Sequence, residues 1–507
     1  MRTRRVLKNT LILYVRQIFV ILVNLYALRV VLNVLGVEDY GIYSIVAGVV
    51  TLSTFFSVTM ASATQRFFSY ALGLNDYEKL KKTFSVSWLV YACIALLVLV
   101  VLETVGIWFL EEHLAIPSER FEAAQALYHL TVLAFVASIF NSPFMAILIA
   151  HEDMHIYAYL SIVDALMKLG VVFALSYISW DKLELYGYLL LAVAIINAVA
   201  YFAVCLRKYP ECQFRKIYWD KTLLKEITDF TGWTTFGALT SVARNQGVTI
   251  LLNQMFNPAT VAARAIAMNV ASQVSVFANN FNTGLYPPII KSYAANEKAE
   301  MFSLITIGSK LTFFLMWIFT LPLLLEMSEI LKLWLNNPPQ EAILFTQLAL
   351  IEMLILSASL PLATAARAPG KMKSYEIILG VMQMGIFAVS WWVLKIGYPS
   401  YSVFIVAILF NLLMLVVRLL IVSKLIGLNM RGFFERVLLP LSGVIALSAI
   451  PAYVVQQAMP NGVAYGLFLI VLCMFLSTIS MYHLGLDTYW RKRARIIIFN
   501  CLARFRQ

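Results

Sequence analysis

Charge is the scarcest commodity in this 507-residue sequence: Asp, Glu, Lys and Arg make up 13% of it, against 61% hydrophobic residues. So little charge, with apolar runs recurring from end to end, excludes a soluble globular protein and points to a polytopic membrane protein. Cysteine is also scarce. The five present, Cys93, Cys205, Cys212, Cys473 and Cys501, lack metal-like spacing, so neither disulfides nor a metal site is expected. A long hydrophilic loop is missing too. The largest break, Lys208 to Lys225, is too short for a soluble domain, which counts against a membrane glycosyltransferase, glycan polymerase or ligase with catalytic groups outside the bilayer. Acids are outnumbered by bases, 27 to 39, for a formal net charge of +12. Taken alone that surplus would suit nucleic acid, but the positions of the charges do not.

Cutting the chain at polar and turn-rich breaks predicts fourteen spans, in roughly 7–34, 40–71, 84–109, 123–150, 156–179, 184–206, 226–254, 260–293, 301–326, 341–366, 373–396, 400–423, 433–456 and 462–484. The basic start MRTRRVLKNT leads into an apolar run that contains Arg16 and shows no small-residue cleavage site, so it is read as an uncleaved first span. With the N-terminus cytoplasmic, the segments on that side hold 27 of the 39 lysines and arginines. The opposite loops hold only Arg120, Lys182, Lys332 and Lys395. A positive-inside bias of this size places both termini in the cytoplasm and explains the net charge without nucleic acid. The loop His151 to His155 fits poorly, since it carries Glu152 and Asp153. The basic tail from Thr488 to Gln507 reads as an amphipathic helix on anionic lipid.

A weak internal repeat is present. LGVEDYGIYSI (35–45) and FNPATVAARAI (256–266) are each a short outer turn, offset by 221 residues; Ser69-Tyr70-Ala71 and Ser292-Tyr293-Ala294, offset by 223, close the next span. Six spans per unit give both copies the same orientation, related by a pseudo-two-fold axis along the membrane normal. The expected organisation is a six-helix bundle (1–206), a cytoplasmic linker (207–225), a second six-helix bundle (226–425), two additional helices (426–487) and the tail (488–507).

The first two spans of each repeat carry polar stripes. At 100° per residue, Thr51, Thr54, Ser62, Gln65 and Ser69 share one face of the second span; Thr234, Ser241, Asn245 and Thr249, with Arg244 alongside, share one of the seventh; Asn269, Ser272, Gln273, Asn280 and Thr283 share one of the eighth. Asn9 and Arg16 share a face of the first span, with Asn24 also on that helix, while Arg29 and Asn33 lie on another face. Small polar residues also join membrane helices to one another, but stripes on corresponding helices of two halves favour a polar cavity. Among intramembrane cations, Lys168 sits four residues after Asp164 and is expected to pair with it; Arg418 and Arg66 can snorkel inward. Arg16 and Arg244 remain as the strongest cavity candidates, with Arg29 and Arg264 near outer helix ends, where cavity and interface are both open to them. Such an excess of arginine suits an anion, because the guanidinium fork matches phosphate oxygens. Glu352 and Lys310 are candidates for proton or sodium coupling, or for pairing with each other. Pro287-Pro288 marks a hinge or a static kink.

The segments KNTLILYVRQ, LGVEDYGIYSIVAGVV and SATQRFFSYALG resemble the Wzx-type oligosaccharide flippases, the polysaccharide exporters of the multidrug/oligosaccharidyl-lipid/polysaccharide (MOP) superfamily. The resemblance implies an all-α, MATE-like fold in which two six-helix bundles enclose a cationic cavity, and a location in the bacterial cytoplasmic (inner) membrane. It further implies an undecaprenyl-diphosphate-linked oligosaccharide as substrate, moved to the periplasmic leaflet for O-antigen, capsule or related glycan assembly, with glycan polymerase and assembly proteins as partners and no enzymatic activity or bound cofactor. A multidrug or toxin extruder of the same fold would be expected to use buried carboxylates for cations. A peptidoglycan lipid flippase is separated only by overall resemblance.

Overall fold

The computed structural model describes residues 2–51, 54–113, 117–212, 214, 218–335, 339–460, 462–487 and 490–492. Among these residues there is no strand. The helices are α1 Arg2–Thr51, α2 Thr54–Gly73, α3 Tyr77–Val101, α4 Ile107–His113, α5 Phe121–Ala150, α6 Met154–Tyr177, α7 Lys182–Lys208, α8 Lys221–Met255, α9 Pro258–Ala294, α10 Lys298–Leu335, α11 Ala342–Ala358, α12 Leu360–Arg367, α13 Lys373–Lys395, α14 Ser402–Ile426, α15 Met430–Phe433, α16 Leu439–Ala458 and α17 Val463–Ser480. The expected tail helix falls outside the described residues, apart from 490–492.

Among the described residues, eleven helical segments are long and apolar enough to cross a membrane, and α11 with α12, bent by 41°, makes a twelfth. The protein is a multi-pass membrane protein. Fourteen spans were expected; the two not among these twelve are the second, 40–71, which runs from the end of α1 into α2 across residues outside the described ones, and the seventh, in α8. For α8 its own sequence explains it. Within twenty residues α2 carries Ser57, Thr59, Ser62, Thr64, Gln65, Arg66 and Ser69, and α8 is polar along much of its length. Helices of this composition are poor lipid solutes and need polar neighbours.

The turns correct the register of the repeat. Gly36, at φ 80°, makes a one-residue break in α1 where a longer loop was expected, a conformation open to glycine at little cost. Its counterpart 221 residues on is Asn257, whose side chain caps the start of α9 by accepting from the Thr260 amide (2.9 Å). After α2, Asn75 adopts φ 55°, and after α9, Asn296 adopts φ 59°. The hydrogen bonds around them match one for one: Leu74 N to Tyr70 O, Asn75 N to Leu72 O and Asp76 N to Ala71 O in the first, Ala295 N to Lys291 O, Asn296 N to Tyr293 O and Glu297 N to Ser292 O in the second. This left-handed cap closes helices because it satisfies their last carbonyls, and asparagine tolerates the conformation. The offset is therefore 221 at both landmarks, and the Ser-Tyr-Ala match at 223 is out of register. Between them α9 continues through Pro287 and Pro288 as one helix, held by the buried Leu285, Tyr286, Ile289 and Ile290.

The chain forms two compact units, the first of Met1–Ala238 with Ile290–Glu297, the second of Leu239–Ile289 with Lys298–Gln507. In the first, α5 lies at the centre, packed against α7, α2, α3 and α1. Its buried residues include Leu127, Val132, Ile139, Phe144 and Ile147. A core of Phe68, Phe84, Phe144, Ile147, Leu160, Tyr201 and Cys205 joins α2, α3, α5, α6 and α7. Lipid is as apolar as these side chains, so their contribution is close packing and not removal from water.

In the second unit α10 is the spine, touching α11, α12, α16 and α17. Polar contacts fix the two additional helices to it: Trp317 Nε1 donates to Ser448 Oγ at 2.9 Å and Gln456 Nε2 to the Leu325 carbonyl at 2.7 Å. Lys310, fully buried on α10, reaches Asp487 beyond α17 at 3.0 Å. Removing Asp487 leaves a buried ammonium without its counter-ion. Asp487→Ala is therefore expected to destabilise this unit by about 2 kcal/mol, read by thermal unfolding in detergent, with Asp487→Glu retaining most of the stability.

Candidate functional site

In the second unit, the polar face of α8 meets α11 and α14 through one buried cluster. Arg244 Nη1 donates to Glu352 Oε1 at 2.8 Å, and Asn411 Nδ2, from α14, donates to the same oxygen at 3.1 Å. Arg244 Nη2 donates to Asn245 Oδ1 at 2.8 Å. All three partners of this network are nearly sealed: Arg244, Glu352 and Asn411 are 6%, 2% and 2% exposed. Glu352 is thus the counter-ion of Arg244 and not of Lys310, the partnership left open by the sequence. The reason is position: Lys310 points to the end of α17 and is satisfied there by Asp487.

One turn from Asn245, Thr249 Oγ1 accepts a hydrogen bond from Arg264 Nη1 of α9 at 2.6 Å. Arg264 lies within electrostatic range of both Arg244 and Glu352. Among the described residues no carboxylate is within ion-pair distance of it. Two arginines against one glutamate leave this cluster with one positive charge in excess. Asn269 and Gln273 are exposed on α9, and Asn280 is half-buried there.

In the first unit, Arg16 is buried, donates from Nη2 to Gln17 Oε1 at 2.8 Å, and stands 4.9 Å over the Tyr157 ring. A cation over an aromatic face gains roughly 2 kcal/mol when desolvated. Asn24 and Arg29 are exposed on α1. Gln65 is half-buried and its Nε2 makes no hydrogen bond. The side chains of Thr51 and Thr54, expected on the same stripe, lie outside the described ones. Arg66 does not snorkel: its guanidinium sits over Phe67 and Tyr70, with Phe230 at 5.9 Å. Thr59 and Thr235, outside the predicted stripes, bond side chain to side chain at 3.1 Å and join α2 to α8. Lys168 and Asp164 form the expected pair at 2.8 Å.

The acidic loop that fits the charge rule poorly is a clasp. Glu152 adopts φ 64°, an uncomfortable conformation for a residue with a Cβ. It is held by Lys291 Nζ on its carboxylate at 2.7 Å and Asn9 Nδ2 on its carbonyl at 3.2 Å. Asp153 accepts from Lys208 at 2.9 Å and Tyr209 at 2.5 Å. Burial alone would raise its carboxyl, but these two donors hold it below the usual carboxylate range. Its contribution is thus present above its unfolded pKa of about 3.9 and lost as pH falls through the lower folded value. Asp153→Asn should cost about 1 kcal/mol, unchanged from pH 5 to 8 and disappearing only well below pH 4, in unfolding measured across pH. The four cations of the expected outer loops are likewise accounted for. Arg120 grips Asp39 and Asp181, Lys182 bonds the Val34 carbonyl, Lys332 pairs with Glu329, and Lys395 covers the Trp391 ring.

Sequence reasoning missed Asn411. Its signal was a single amide in the apolar run FNLLMLVV, which carries weight only once the facing glutamate is known.

The fold has clear relatives among solved structures. A MATE transporter in its bent conformation superposes with a TM-score of 0.74 at 11% identity, over 84% of this chain and 96% of that one. An outward-facing multidrug resistance MATE family transporter of the MOP superfamily gives 0.72 at 13%, over 84% and 96%. A MOP superfamily transporter from Pyrococcus furiosus, described as having a binding pocket of reversed polarity, gives 0.70 at 13%, also over 84% and 96%. At such identities the likeness establishes the fold and nothing finer. No curated protein matches the sequence significantly. The family model for polysaccharide biosynthesis proteins does, over residues 6–293. With more than half of the chain matched, from the first span into the end of α9, the protein belongs to the polysaccharide biosynthesis protein family.

Proposed function

We propose that the protein is a flippase that carries an undecaprenyl-diphosphate-linked oligosaccharide from the cytoplasmic to the periplasmic leaflet of a bacterial inner membrane, for O-antigen, capsule or related glycan assembly. The observation that carries this reading is the cluster of the buried Arg244 and Glu352 with the half-buried Arg264, and its excess positive charge. A lone cation at membrane depth is costly and is kept where an anion visits. A diphosphate offers several oxygens to a guanidinium fork, and its lipid tail can remain in hydrocarbon while the headgroup moves. An organic cation would be repelled by the same cluster, which disfavours a drug extruder. Both termini in the cytoplasm follow from the lysine and arginine distribution. Transport then consists of exposing the headgroup site alternately to the two sides, with no bond made or broken.

The reading is tested in cells by leaflet accessibility of the lipid-linked glycan. Arg264→Ala is expected to reduce export at least tenfold at equal protein level, and Arg16→Ala or Arg244→Ala to reduce it as well. Unchanged export in all three would remove the anion-site assignment.

A further inference from the structure

The cluster in the second unit contains its own anion. Glu352 occupies the guanidinium of Arg244 through Nη1, at 2.8 Å, while Arg244 Nε is buried without a hydrogen bond. Asn411 holds the same carboxylate oxygen from the other side, at 3.1 Å, and is itself anchored by donating to the Ala407 carbonyl at 2.8 Å. The carboxylate is therefore tethered independently of Arg244. Among the described residues, Arg264 has the Thr249 hydroxyl as its hydrogen-bond partner, and its Nε too is buried and unbonded. The two arginines thus differ: one is neutralised, one is not.

We propose that Glu352 is a built-in competitor for the substrate's phosphate-type anion, which displaces the carboxylate from Arg244 while Asn411 retains it. This rests on the anion-carrying reading above and adds how the site is regulated. An empty site with the buried Arg244 bare, beside the half-buried Arg264, would be strongly unfavourable, because an unpaired buried charge has neither water nor partner. With Glu352 in place the site is nearly balanced when empty, and Arg264 alone attracts the incoming anion. Binding becomes an exchange of one anion for another at Arg244. An exchange is weaker than a simple addition, since the new contacts replace existing ones, and release is correspondingly faster because the carboxylate returns as the anion leaves. A carrier needs that property, whereas a site that only captures does not.

The test uses the purified full-length protein in nanodiscs, with binding of farnesyl diphosphate measured by tryptophan fluorescence and inorganic diphosphate as a parallel probe. Glu352→Gln is expected to tighten binding at least tenfold, and R244Q/E352Q to lose that gain. Asn411→Asp, which adds a second carboxylate beside Arg244, is expected to weaken binding about tenfold, and it serves if Glu352→Gln does not fold. Tightening for farnesyl diphosphate alone assigns the site to a lipid headgroup, and tightening for both probes to the diphosphate group itself; either supports the exchange. Equal or weaker binding by folded Glu352→Gln, or unchanged binding by Asn411→Asp, overturns it while leaving the anion site standing. Absence of diphosphate binding by the unmodified protein overturns both.

Discussion

Glu352→Ala is expected to destabilise the protein by about 3–5 kcal/mol, because it strips the counter-ion from an arginine that is 6% exposed. Arg244→Ala should cost a similar amount by stranding the carboxylate, although Asn411 then offsets part of the loss. The two changes made together should cost far less than their sum, since neither charge is left alone. The pair itself need not favour folding at all: desolvating both ions consumes most of what their attraction returns. A cycle of single and double variants, followed by unfolding in mixed detergent, reads the coupling directly. A coupling under about 0.5 kcal/mol would mean that the two groups meet only loosely. The same cycle separates stability from transport. R244Q/E352Q should be stable yet export poorly if the proposed anion site depends on Arg244.

How much of this was legible in the sequence depends on distance along the chain. Lys168 and Asp164 are four residues apart, so helical geometry alone pairs them. Apolar runs and the bias of lysine and arginine are sums over many residues, and they located most spans for that reason. Arg244 and Glu352 are 108 residues apart, and nothing local distinguishes Glu352's partner from Lys310. The polar character of α8 was visible, but it pulled in two directions: it marked the helix as special and lowered its standing as a span. Arg66 shows the limit of a rule about length. Its side chain is long enough to snorkel, yet three aromatic rings within 6 Å hold it inside the bundle. The two-residue slip in the repeat has the same origin, because a three-residue identity is weak evidence of register and a pair of hydrogen-bonded left-handed caps is strong evidence.

Gly73→Leu is expected to have the largest effect in the first unit. A Cβ on Gly73 would stand 2.8 Å from the Lys291 Cα, the Lys291 carbonyl and the Ala294 Cβ. Two of those three atoms are backbone and cannot turn aside, so the end of α2 and the end of α9 must separate. Separation draws Lys291 away from Glu152, now at 2.7 Å, and parts the rings of Tyr70 and Tyr293, whose centroids are 6.5 Å apart. Forcing a side chain into such a contact costs about 3 kcal/mol. The loss of Lys291 also leaves Glu152 in a left-handed conformation with one support fewer. Gly73→Ala should show the same direction with smaller size, whereas Gly48→Ala, with nothing within 4 Å of its Cβ, should be near neutral. Cross-linking Tyr70→Cys to Tyr293→Cys with a short bismaleimide measures the separation. Efficient linking in the presence of glycine and poor linking with leucine is the expected result. Equal yields, with unchanged unfolding temperature, would show that the two helix ends have room the present packing does not provide.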